Sequence, residues 1–122
     1  MKTGGAEYGL SKDNIQAFLE QLNPSQTHST TFRLGDLVIV GVPGEMAAQL
    51  GMDVKASAHQ LTGADCVTIG GLADEWVSYI LSADEYRKGG GYEASMSFYG
   101  DTLGSTIVEG ILRGIKQLKT QR

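Results

Sequence analysis

The chain of 122 residues contains one cysteine, Cys66, and two prolines. A single thiol excludes an internal disulfide, so cysteine usage says nothing about the redox compartment. No apolar run reaches the ~18 residues that a helix needs to span a bilayer. The opening Met1-Lys2-Thr3-Gly4-Gly5 lacks the apolar core of a signal peptide. Positive charge is short: ten Lys and Arg against fourteen Asp and Glu leave a net charge of −4. A nucleic acid therefore finds no broad basic surface to bind. Walker A, HExxH and GxSxG motifs are missing, and nothing in the sequence assigns a compartment.

Glycine is abundant instead, with 17 residues. Scattered between apolar strands, it implies tight turns and close backbone approaches. The composition, 41% hydrophobic and 20% charged, is that of a globular protein. The length suits one domain spanning 1–122.

The periodicity predicts an α/β fold. Residues 1–10, with Gly4, Gly5 and Gly9, read as a loop with little reason to order alone. Ser11 reads as an N-cap, and Ile15, Phe18, Leu19 and Leu22 recur at helical spacing up to Asn23-Pro24. Residues 30–34 and 37–42 are strand-like, joined by Gly35-Asp36, the chemistry of a type II′ hairpin turn. The second strand is apolar on both faces, as a central strand is. Pro43-Gly44-Glu45 is predicted to open a helix whose stripe is Met46, Ala47, Leu50, Val54 and Ala58, stopping at Gly63. A strand over 66–69 follows, so the region reads as a right-handed βαβ crossover. Ser82-Ala83-Asp84-Glu85 fits a capping box. Alternation from Tyr92 to Tyr99 predicts a weak strand, and 103–118 the clearest helix of the chain. The expected architecture is a small mixed sheet, with a hairpin and a crossover, flanked by about three helices.

Candidate chemistry lies beyond the carboxyl ends of the strands, where open α/β sheets bind ligands. Two segments fall there, Pro43-Gly44-Glu45 and 70–79. From spacing alone, Glu45 is a favourable acid in the first turn of a helix. His28 and His59 read as solvated surface residues, and Cys66 as a small core hydrophobe.

Four segments taken in order resemble one family. Val42-Pro43-Gly44-Glu45 resembles the "VPGE" segment of the neutral/alkaline (non-lysosomal) ceramidases. The run from Gly71-Leu72 to Tyr79-Ile80 is similar to their "GLxNxYxxYI", with Asp74 for the usual asparagine and Trp76 for the usual tyrosine. Ser82-Ala83-Asp84-Glu85-Tyr86 matches "T-x-E-E-Y", and Tyr92-Glu93-Ala94-Ser95 through Tyr99-Gly100 matches "YEAST-hydrophobic-YG". The resemblance covers roughly 30–118 and points to the C-terminal end of the family's catalytic domain.

The resemblance implies a zinc amidase acting on N-acylsphingosine or a related lipid-like amide. In the family, two histidines from the first part of the domain hold the metal together with the glutamate of the PGE segment and a tyrosine of the GLxNxYxxY segment. Carried over, these last two are Glu45 and Tyr79, two metal ligands of a half site. Zinc accepts oxygen ligands, polarises carbonyls and activates water. The upstream histidines have no counterpart here, so the chain alone is expected to be inactive. Trp76 and Tyr92 are candidate substrate contacts, although packing roles explain both more simply. The alternative reading is a non-catalytic α/β subdomain that folds and self-associates. Either way a homodimer, or association with an upstream part of the domain, is expected.

Overall fold

In a computed structural model the described residues are 18, 21–22, 25–89 and 91–118. Most of the helix expected over 11–22 lies outside them; Phe18, Gln21 and Leu22 are helical and exposed. The loop expected over 1–10 lies outside them altogether.

Strands β1 (Thr31–Leu34) and β2 (Leu37–Gly41) form an antiparallel hairpin in which Thr31 pairs with Val40 and Leu34 with Leu37. Gly35 turns it with φ 60°, a value that suits the first central residue of a type II′ turn. The strand β4 (Cys66–Gly70) lies parallel to β2, from Leu37 opposite Cys66 to Gly41 opposite Gly70. The three-stranded order β1-β2-β4 puts β2 in the centre, as its apolar run requires. Between β2 and β4 the chain makes β3 (Glu45–Met46) and helix α1 (Ala48–Thr62).

Beyond β4 come the short β5 (Tyr79–Ile80), α2 (Ala83–Lys88), α3 (Gly91–Ser95) and α4 (Leu103–Leu118). Strands β3 and β5 pair in parallel as a second, two-stranded sheet. The long helix buries Leu103, Ile107, Ile111 and Ile115, a stripe at four-residue spacing. That stripe packs with Val54 and Ala58 of α1 and with Val38 and Val40 of β2 in one core. Both helices cover the same face of the sheet, the face of Val38 and Val40.

Several expectations hold. Gly63 caps α1 in the left-handed conformation, and its N–H bonds the His59 carbonyl. The Ser82–Glu85 capping box is fully formed. The 103–118 helix has its expected bounds.

Three local expectations are corrected. The helix after β2 begins at Ala48, not at Gly44 or Glu45. The N–H groups of Glu45 and Ala47 donate instead to the carbonyls of Ser78 and Ile80, which draws this stretch into β3. The alternating segment from Tyr92 is the short helix α3 rather than a strand. Alternation there has no neighbouring strand to pair with, so local helical bonds prevail. Cys66 is exposed rather than buried. It opens β4 on the sheet face opposite the helices.

Candidate functional site

Glu45 and Tyr79 are Cα partners across the β3–β5 pair. The first follows β2 by way of Val42-Pro43-Gly44; the second follows β4 by way of the connector 71–78. Both therefore lie past the carboxyl ends of adjacent parallel strands. The connector is braced to the first segment along its length. Ala73 N–H bonds the Val42 carbonyl at 3.0 Å, Leu72 N–H the Gly44 carbonyl at 3.3 Å, and Val77 N–H the Pro43 carbonyl at 2.6 Å. Side chains add two further ties: the Thr30 hydroxyl donates to Asp74 at 2.7 Å, and the Thr27 hydroxyl donates to Glu75.

The Glu45 carboxylate, chiefly by hydrogen bonding, pushes the pKa of the Tyr79 phenol above the ordinary value for tyrosine. Desolvation and the negative charges of Glu45 and Glu93 act in the same direction. The pair opens on a cleft of about 560 Å³ whose walls include Glu45, Tyr79, Glu85, Lys88 and Glu93. The Tyr92 ring meets the Tyr79 ring edge to face, with centroids 5.7 Å apart and planes at 84°. That arrangement suits the ring quadrupoles and restrains the Tyr79 ring.

The remaining candidates are more scattered. Trp76 is 51% exposed on the connector and Tyr92 is 63% exposed on α3, so neither is a core residue. The core position that sequence favoured for them is corrected. Short irregular segments leave these large rings no apolar layer to enter. Glu93, beside Tyr92 in sequence, does face the cleft. Glu85 has two roles, closing the capping box of α2 and lining the cleft. Sequence exposed only the first, because the second depends on α2 folding back over β3.

Both histidines are exposed and stand apart from the pair. His28 Nδ1 is 3.6 Å from Glu75. The Thr27 hydroxyl, aided by His28, holds the Glu75 carboxyl below its usual range. His59 Nδ1 lies 2.7 Å from the Ala64 carbonyl. Among the described residues no group of three or more His, Cys, Asp or Glu is placed to hold a metal ion. An adjacent carboxylate and phenol suit two of zinc's oxygen ligands, and zinc sites commonly need one or two more from protein. The donor set fits half a site. No helix of the described residues is long and apolar enough to cross a membrane.

No family model matches the chain. Neutral ceramidase B of Dictyostelium discoideum is 32% identical to it over 62% of this chain and 11% of that protein. The crystal structure of a neutral ceramidase from Pseudomonas aeruginosa superposes with a TM-score of 0.68 at 23% identity, covering 75% of this chain and 15% of that one. A ceramidase complexed with C2 gives a TM-score of 0.69 at 22% identity, covering 75% of this chain and 14% of that one. The chain thus spans between 11% and 15% of the length of these relatives. By sequence and by fold, the resemblance to the neutral ceramidase family holds over the segment that these comparisons cover.

Proposed function

We propose that the chain contributes Glu45 and Tyr79 as two ligands of the zinc site of a ceramidase-like amide hydrolase, acting on N-acylsphingosine or a related lipid-like amide. The observation that carries this reading is the cross-strand register of Glu45 and Tyr79. Two residues separated by a helix and a strand in sequence are brought side by side at the mouth of a cleft. Their similarity to the two motifs of the ceramidases supplies the reaction class.

Glu45 would bind as the anionic ligand, and Tyr79 would exchange its phenolic hydrogen for the metal. Zinc, when bound, polarises an amide carbonyl and makes water a nucleophile near neutral pH. Tyr92 buttresses the Tyr79 ring, and Trp76 lies exposed on the connector 71–78. Glu93 adds negative charge to the cleft and draws cations toward it.

A half site predicts weak zinc binding and no amidase activity for this chain alone. Calorimetric zinc titration tests the reading, with Glu45→Gln and Tyr79→Phe as comparisons. Weak binding that both variants abolish supports it; binding that neither variant changes rules it out.

A second reading, self-association without catalysis, is favoured by one observation. The sheet face opposite the helices carries Phe32, Leu34, Leu37, Ile39, Cys66 and Thr68, with Phe32 48% and Leu34 71% exposed. None of these is charged, so two copies could meet there without like-charge repulsion.

A further inference from the structure

We propose that Ser78 is the positioning residue of the Glu45–Tyr79 pair: its left-handed backbone, locked against Gly44, sets Tyr79 opposite Glu45.

The connector 71–78 holds three non-glycine residues in the left-handed region, Leu72 at φ 56°, Asp74 at 69° and Ser78 at 74°. Such conformations are unfavourable for residues with a β-carbon and persist where the surroundings over-determine them. Asp74 has a local reason, because short polar side chains tolerate this region and its carboxylate receives the Thr30 hydroxyl. The N–H of Leu72 is tied to Gly44, and its side chain is exposed.

Ser78 has no side-chain reason of this kind. It is 1% exposed, and its hydroxyl is buried with no hydrogen-bond partner among the described residues. A buried unpaired hydroxyl and an unfavourable φ at one residue are two separate penalties. The contacts that offset them come from its backbone. The Ser78 carbonyl accepts the N–H of Glu45 at 3.0 Å, a bond that ties the β5 side to the β3 side. Val77 before it and Ile80 two residues after it are held as well, the first by the Pro43 carbonyl and the second by the N–H of Ala47. Gly44 makes this approach possible, since a β-carbon there would lie 2.5 Å from the Ser78 carbonyl oxygen.

The bend at Ser78 therefore ends the connector and begins β5 in the register that pairs Tyr79 with Glu45. An extended residue at 78 would carry the next side chain off that register. The inference takes the Glu45–Tyr79 pair as the working part of the site, as proposed above. Its test reads geometry and needs neither metal nor activity.

The experiment is nuclear magnetic resonance on the full chain, isotope-labelled. It follows the contact between the Tyr79 and Tyr92 rings and the exchange protection of the Glu45 amide. In Gly44→Ala and in Ser78→Val the ring contact should disappear and the Glu45 amide should exchange at least about tenfold faster. The methyl signals of Val38 and Ile111, in the core, should stay in place. In Ser78→Gly, which accepts a left-handed backbone, both signals should persist. A folded Gly44→Ala or Ser78→Val with both signals intact overturns the proposal. Loss of the signals in Ser78→Gly also overturns it, because the side chain rather than the backbone would then hold Tyr79. Should Ser78→Val and Gly44→Ala both fail to fold, Ser78→Gly alone decides. Zinc titration of the unmodified chain and of Glu45→Gln separates the two ideas: zinc binding indifferent to the substitution removes the metal reading and leaves the positioning role standing.

Discussion

Tyr79 stands opposite Glu45 across the β3–β5 pair, and the Glu45 carboxylate, chiefly by hydrogen bonding, holds the Tyr79 phenol above its ordinary pKa. Nothing local in either segment requires this contact. It arises because β2 and β4 run parallel and deliver their continuations to the same end of the sheet.

The Glu45 carboxylate beside this phenol sets an alkaline limit on stability. The folded pKa of Tyr79 is raised above its unfolded value of about 10, so the neutral phenol is favoured by folding. The associated stabilisation is complete below the unfolded pKa and is lost as pH rises through the folded one. In Tyr79→Phe the loss of stability above about pH 10 should be shallower than in the unmodified chain. Urea unfolding at several alkaline pH values checks this; identical slopes would contradict the raised pKa.

The acidic side has its own marker in the capping box of α2. Backbone and hydroxyl bonds from Ser82 hold the Glu85 carboxyl below its ordinary pKa. Its contribution is present above the unfolded pKa and fades as pH falls through the lower folded value. Ser82→Ala should destabilise the protein by about 1 kcal/mol at neutral pH, and the difference should narrow below about pH 4. Denaturant midpoints of the two proteins, compared at neutral and acidic pH, measure both effects.

The core hinges on α4. Ile111 is fully buried between α1 and the sheet. Ile111→Val removes one methylene and should cost about 1 kcal/mol, whereas Ile111→Ala should cost about 2–5 kcal/mol because the cavity cannot fully collapse. Equilibrium urea unfolding gives both values, and near-equal losses would show that the site repacks.

Self-association is expected through the sheet face opposite the helices, where Phe32 and Leu34 are exposed. A scattering mass near twice 13.0 kDa at tens of micromolar should fall to one chain in Leu34→Lys. Leu34 is already 71% exposed, so the substitution leaves the core untouched. A single-chain mass for the unmodified protein would remove this reading.

Much of the architecture was written in local pattern. The apolar run of β2, the Gly35 turn, the Ser82 capping box and the four-residue stripe of α4 each need only nearest neighbours in sequence to be recognised, because turn, cap and face are short-range properties. The two residues of the candidate pair were legible through the motifs around them. Their contact was not: register across β3 and β5 depends on how the connector 71–78 folds back over Pro43-Gly44. Tertiary structure also decided that Glu45 joins a strand rather than a helix, since the carbonyls of Ser78 and Ile80 compete for its local N–H groups. It decided the helix at 91–95, where alternation had no strand to pair with, and the exposure of Cys66, Trp76 and Tyr92. Periodicity tells which residues can share a face, but only the packed neighbours determine whether that face is covered.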